Sequence, residues 1–120
     1  MIELKNVTKK FEGREGPVHA LKQISVHINK SEKFGIIGES GSGKSTLLRM
    51  INALEVPDEG TVIVDGDNVN ELSSKHLRNY RKKIAMIFQQ FNLLNNKTVY
   101  ENVTLPLKLH KFESVLDVDE

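Results

Sequence analysis

The chain contains no cysteine, so disulfides and thiolate chemistry are excluded and the redox compartment is left open. Long hydrophobic runs are missing too. The longest unbroken apolar stretch is Ile84 to Phe88, far short of the roughly 18 to 20 residues a membrane-spanning helix needs. The opening Met1-Ile2-Glu3-Leu4-Lys5 lacks a basic end followed by an apolar stretch and a small-residue cleavage site. No secretory signal is read there, and a cytosolic location is the expectation. Nor is there an excess of one charge: 17 Lys and Arg stand against 16 Asp and Glu, a net charge of +1. Without a general field toward nucleic acid or anionic lipid, any such binding has to be local. No internal repeat and no low-complexity segment is found. What remains is 120 residues, 38% hydrophobic and 28% charged. That is a globular composition for one domain, which buries about two thirds of its unfolded surface.

Ile2 to Phe11 and Leu21 to Ile28 mix apolar and polar residues as strands of a half-buried sheet do, with a turn over Gly13 to Pro17. Phe34 to Ile37, flanked by Gly38, predicts a buried strand feeding a tight loop. A helix is expected from Ser45 to Leu54, with Leu47, Leu48, Ile51 and Leu54 on one face and Pro57 limiting its length. Thr61 to Val64 is β-branched and Asp65-Gly66 after it signals a hairpin. Ser73 has the look of an N-cap, with Leu72 and Leu77 as a hydrophobic staple and a short helix to about Arg81. Ile84 to Phe88 predicts a second buried strand. Thr98-Val99-Tyr100-Glu101 has the spacing of a capping box, opening a helical turn that Pro106 should disturb.

The informative segment is Gly38-Glu39-Ser40-Gly41-Ser42-Gly43-Lys44-Ser45-Thr46, which fits G-x-x-x-x-G-K-[ST] between a predicted strand and an amphipathic helix. Its glycines allow successive N–H groups to turn inward around phosphate oxygens, and the helix N-terminus adds partial positive charge. Lys44 can reach the β- and γ-phosphates as a point charge. The Ser45 hydroxyl is placed to ligate the Mg²⁺ that bridges them. Thr46 serves the α-phosphate side or the helix start. The bland alternative, a Gly/Ser-rich turn with a solvated lysine, leaves the strand–loop–helix context unexplained.

With its flanking segments, the motif resembles the ATP-binding subunit of ABC transporters over Ile2 to about Leu109. The stretch Ile2-Glu3-Leu4-Lys5-Asn6-Val7-Thr8-Lys9-Lys10-Phe11 is similar to the family's opening strand, which ends in an aromatic residue that stacks on adenine. Phe11 fills that position, where the family more often has Tyr; an aromatic of the hydrophobic core is the alternative. Met86-Ile87-Phe88-Gln89-Gln90-Phe91-Asn92-Leu93-Leu94 resembles the family's Q-loop. The resemblance implies that Gln89 approaches the Mg²⁺ and the attacking water, against a plain loop glutamine, the role left to Gln90. Glu59 to Gly66 resembles the strand and hairpin after the first helix and carries no chemistry. Phe91 to Leu94 and Thr98 to Val103 most resemble importers of the methionine type, where this region faces the membrane-embedded partner.

The implied fold is α/β: a P-loop NTPase (ABC ATPase) fold, incomplete, with an antiparallel β subdomain beside a parallel core. Residues 1–120 would form the amino-terminal part of one nucleotide-binding domain. In the family the signature motif, the strand ending in Asp-Glu (Walker B) and a switch histidine lie beyond the Q-loop, so these and the helical subdomain are expected to be absent. Glu113 to Glu120 either opens a helix of that subdomain or, in Val115 to Glu120, weakly echoes the strand closing on Asp-Glu. His19, His27, His76 and His110 match no switch position. The implied function is ATP binding, with Mg²⁺, in a subunit energising import of a small solute such as methionine. It would work at the cytoplasmic face of the cell membrane as a homodimer with a transmembrane permease subunit. The chain alone is expected to bind ATP with little or no turnover. Two rivals are a non-hydrolysing nucleotide-binding fragment and a nucleic-acid binder through the basic run Lys75 to Lys83. Leu77 and Tyr80 in that run instead mark an amphipathic helix with solvated charges.

Overall fold

A computed structural model describes residues 1–110. It divides into two compact units, Met1–Ile84 and one that starts at Ala85.

The first unit is built on an antiparallel sheet of order β2-β1-β3-β4. β1 (Ile2–Gly13) and β2 (Gly16–Ile28) form a long hairpin, tighter than the predicted turn because Gly13 pairs directly with Gly16. The hairpin is not regular. Asn6, at φ 49, is one extra residue on β1, and its backbone N–H donates to Ser25 Oγ at 3.0 Å. Gln23, at φ 48, sits where β2 gains a residue, and its N–H donates to Thr8 Oγ1 at 3.0 Å. Side-chain oxygens thus take over where the ladder is interrupted. β3 (Glu59–Val64) pairs with the other edge of β1 and turns into β4 (Asp67–Asn68). The turn is Asp65-Gly66, at φ 49 and φ 88, the two left-handed positions a type I′ hairpin requires.

α1 (Lys44–Ile51) lays Leu47 and Met50 against Leu4, Val7, Leu21, Val62 and Val69 to make the core. Full burial of a side chain such as Val7 or Val62 contributes about 1.5–3 kcal/mol. The buried face differs from the predicted one: Met50 is fully enclosed, while Leu48 and Leu54 are exposed. Leu48 points off the face, and Leu54 lies beyond the helix. Ala53, at φ 58, ends it, with Ala53 N–H donating to Met50 O and Leu54 N–H to Arg49 O, the bond pair of a Schellman motif.

After a 3₁₀ turn at Val69–Glu71, α2 (Ser74–Arg81) starts at the predicted cap, with Ser73 Oγ accepting from His76 N–H. Its C-terminal turn is not a solvated basic face. Tyr80 donates its hydroxyl proton to Ile51 O, and Arg81 donates from Nε to Asn52 O at 3.2 Å and from Nη2 to Ala53 O at 2.7 Å. These groups satisfy carbonyls left open at the end of α1.

Neither of the two predicted buried strands is paired among the described residues. Phe34 to Ile37 and Ile84 to Phe88 carry no ladder, and Ile37 and Ile87 are each 98% exposed. An apolar run becomes a strand only when a neighbour accepts its hydrogen bonds, and that information is not local.

In the second unit, α3 (Val99–His110) opens with the predicted capping box. Thr98 N–H donates to Glu101 Oε2 at 2.8 Å and Glu101 N–H to Thr98 Oγ1 at 3.1 Å. The first of these bonds holds the Glu101 carboxyl below the usual carboxylate range. Pro106, expected to disturb this turn, lies inside the helix, which continues to His110. Proline's fixed φ is itself helical, so the ring costs the bond to the Asn102 carbonyl and not the turn. The expectations for Glu113 to Glu120 fall outside the described residues.

Candidate functional site

The Gly38–Thr46 loop grows out of the irregular stretch after β2 and ends in the first turn of α1. Ser42 N–H donates to Glu39 O at 3.1 Å, closing a turn over Ser40 and Gly41. Gly41 and Gly43 take φ +80 and φ +96, left-handed values that side chains resist. Gly43 is the N-cap of α1 and has no side chain to cap it; the first helical bond runs from Leu47 N–H to Gly43 O at 3.0 Å. The amides of Lys44, Ser45 and Thr46 therefore precede the helical ladder and are available to an anion. The first turn holds no acidic residue to cancel the helix's positive end.

Lys44 turns back from the helix over its own loop. Its Nζ donates to Gly38 O at 2.5 Å, to Glu39 O at 2.6 Å and to Ser42 Oγ at 3.3 Å. The side chain thereby ties the loop's first residues to its last and holds a positive charge inside the ring. Ser45, exposed beside it, offers a hydroxyl oxygen of the kind Mg²⁺ prefers. Thr46 is half-buried where the helix begins to pack.

Sequence reasoning missed what holds this loop to the sheet. Lys9 pairs with Leu21 and Lys10 with His19, so Ala20 is an extra residue on β2. A Cβ at Gly43 would lie 2.3 Å from Ala20 O. The bulge places a strand carbonyl against the loop's last glycine, a close approach only glycine permits. Nothing in the composition around Ala20 signals it.

The same bulge locates Phe11, which pairs with Val18 two residues before Ala20. At strand rise, the contact with the loop is about 7 Å away along β2. Phe11 is 42% exposed and outside the core cluster, so the core alternative is not what its surroundings show. Gln89 lies in the second unit, exposed, on the loop that precedes α3. That loop is held by Asn102, whose Oδ1 accepts from Leu94 N–H at 2.9 Å and whose Nδ2 donates to Leu94 O at 3.2 Å and Thr98 O at 2.9 Å. Of the histidines, His27 contacts Asn29 and His76 contacts Ser73. Among the described residues no group of three or more His, Asp or Glu comes together as a metal site. No helix among them is long and apolar enough to cross a membrane.

A lysine returned from a helix's first turn to close the loop that feeds it, with left-handed glycines at the bends, defines a phosphate-binding-loop nucleotide-binding fold. Within that class the chain belongs to the ABC transporter family, whose profile matches residues 21–120. It is 52% identical over 109 residues to the methionine import ATP-binding protein MetN of Coxiella burnetii, across 91% of this chain and 31% of that protein. To MetN 1 of Bacillus cereus (strain ATCC 10987) it is 56% identical over 109 residues, across 91% and 32%. Among solved structures it matches a bacterial ABC transporter cassette in dimeric form with a TM-score of 0.87 and 44% identity, over 97% of this chain and 50% of that one. A dimeric ATP-binding cassette in a post-hydrolysis state, bound to ADP and Pi, matches with a TM-score of 0.86 and 43% identity, over the same shares. The chain thus spans about a third of the length of these curated relatives. The family and fold class read from the residues, and the likeness to the methionine type, are borne out.

Proposed function

We propose that the chain binds ATP with Mg²⁺ at the Gly38–Thr46 loop, as part of the ATP-binding subunit of an importer for a small solute, methionine being the candidate. The observation that carries the reading is the loop closed by Lys44 over Gly38 and Glu39. In this reading the loop amides and the α1 N-terminus hold the phosphates, and Lys44 places a fixed charge against the β- and γ-oxygens. Ser45 would supply a hydroxyl oxygen to Mg²⁺, which would neutralise phosphate charge there, and the Q-loop resemblance alone would give Gln89 a contact with the metal and the attacking water. Phe11 offers an exposed ring to the adenine. The likeness to methionine import proteins and to dimeric cassettes supports the assembly: two ATP-binding subunits on a transmembrane permease, peripheral at the cytoplasmic face of the membrane.

Titration of a fluorescent ATP analogue in Mg²⁺ into the wild type and Lys44→Ala tests it. Loss of charge-assisted bonds worth about 1.5–3 kcal/mol should weaken binding roughly 10- to 100-fold. Equal affinity in the two proteins would overturn the role of Lys44. Competition by duplex DNA would favour the basic run Lys75 to Lys83 as the functional surface instead.

A further inference from the structure

Lys9 is the neighbour of Phe11 that the ATP reading does not use. Its side chain is only 14% exposed, and its Nζ is held by three oxygens: Val56 O at 3.0 Å, Glu55 Oε1 at 3.2 Å and Asp58 Oδ1 at 3.8 Å. The strand on either side is pinned to the same loop. Asp58 N–H donates to Thr8 O at 2.9 Å, and Lys10 N–H donates to Asp58 Oδ2 at 2.7 Å. The ammonium is therefore fixed by groups that do not involve Phe11, and it lies 5.3 Å from the centroid of the Phe11 ring. A cation is attracted to the face of an aromatic ring and not to its edge. An exposed phenylalanine otherwise distributes over staggered rotamers. A cation anchored on one face narrows that distribution and leaves the opposite face for a base.

We propose that Lys9 is a positioning residue for the base platform: held by Val56, Glu55 and Asp58, it orients the Phe11 ring that stacks on adenine, and so raises ATP affinity without touching the nucleotide. The inference deepens the ATP reading and rests on it. The i, i+2 spacing of Lys9 and Phe11 on one strand was the available sequence signal, since alternate strand residues share a face.

Calorimetric titrations with Mg²⁺–ATP and with Mg²⁺–tripolyphosphate, which has no base to stack, test it. Lys9→Met should weaken ATP binding about two- to fivefold, the size of an exposed cation–π contact, and leave tripolyphosphate affinity unchanged. Lys9→Arg keeps the cation and should keep ATP affinity. In a Phe11→Ala background, Lys9→Met should cause no further loss. Equal weakening for both ligands would mean that Lys9 acts through charge or general stability, and it would overturn the proposal. So would full ATP affinity in Lys9→Met, or an undiminished Lys9 effect without Phe11. A wild type that binds tripolyphosphate and ATP equally would remove the base platform itself, whereas a wild type that binds neither would refute the ATP reading.

Discussion

Replacing Gly43 with alanine should harm the loop in two ways, and Gly41 separates them. Both glycines have positive φ, +96 and +80, where an L side chain costs about 1–2 kcal/mol. At Gly41 a Cβ meets nothing within 4 Å, so Gly41→Ala carries that conformational cost alone. At Gly43 the new Cβ would lie 2.3 Å from Ala20 O and 3.1 Å from Leu21 Cδ2. A strand carbonyl cannot swing away as a flexible side chain can, so either the β2 bulge or the start of α1 must move. Overpacking of this kind costs about 1–3 kcal/mol, which puts Gly43→Ala at roughly 2–5 kcal/mol in all. Set against the ~5–15 kcal/mol of a typical domain, that is a large fraction. Urea denaturation followed by circular dichroism should rank the proteins wild type, Gly41→Ala, Gly43→Ala in falling midpoint with similar slopes. A Gly43→Ala protein no less stable than Gly41→Ala would refute the contact with Ala20 as the reason for glycine.

Three further outcomes are expected. Ala53 ends α1 at φ 58, so Ala53→Gly should raise stability by about 0.5–1 kcal/mol in the same denaturation assay, the relief of left-handed strain less the added freedom of the unfolded chain. Burial first, and then the Asp65 carboxylate, pushes the Tyr80 phenol up to about 12 from 10.0. Above pH 10 the unfolded chain loses this proton before the folded one, so the contribution of Tyr80 to stability should fall between pH 10 and 12 and stay level below. A Tyr80→Phe protein measured alongside should lack that component of the fall. Finally, phosphate release by the 120-residue polypeptide should stay near background. On the proposed reading Lys44 and Ser45 would supply only part of the shell a γ-phosphate needs, and each preorganised donor missing from such a shell costs about 10²- to 10³-fold. Lys44-dependent turnover on the order of one per second would contradict this expectation.

What the residues disclose in advance is whatever is decided within a few positions. The Asp65-Gly66 turn, the Ser73 cap and the Thr98–Glu101 capping box are each decided by their own near neighbours, and each forms as read. Helix α1 shows the limit of periodicity. Leu54 has the right angular position for the buried face, but the Schellman turn at Ala53 removes it from the helix. Pairing is harder still. Phe34 to Ile37 and Ile84 to Phe88 read as strands from their apolarity, yet a ladder depends on a partner that no short window contains. The basic run hides its purpose for the same reason, since Arg81 caps carbonyls of Asn52 and Ala53 that are distant in sequence. At the candidate site, Lys44 and Ser45 could be named in advance because they lie within the motif. The Ala20 bulge and the Lys9–Phe11 contact come from the hairpin's register, which only the folded chain fixes.

The central claim is that nucleotide phosphates bind at Gly38–Thr46, and backbone amide shifts recorded by NMR during titration with Mg²⁺–ATP test it most directly. The largest changes should fall on the amides of Gly41, Gly43, Lys44 and Ser45, and in Lys44→Ala should need roughly 10- to 100-fold more nucleotide to appear. Shifts confined to Lys75–Lys83, or a loop whose amides stay still while ATP binds elsewhere, would contradict it.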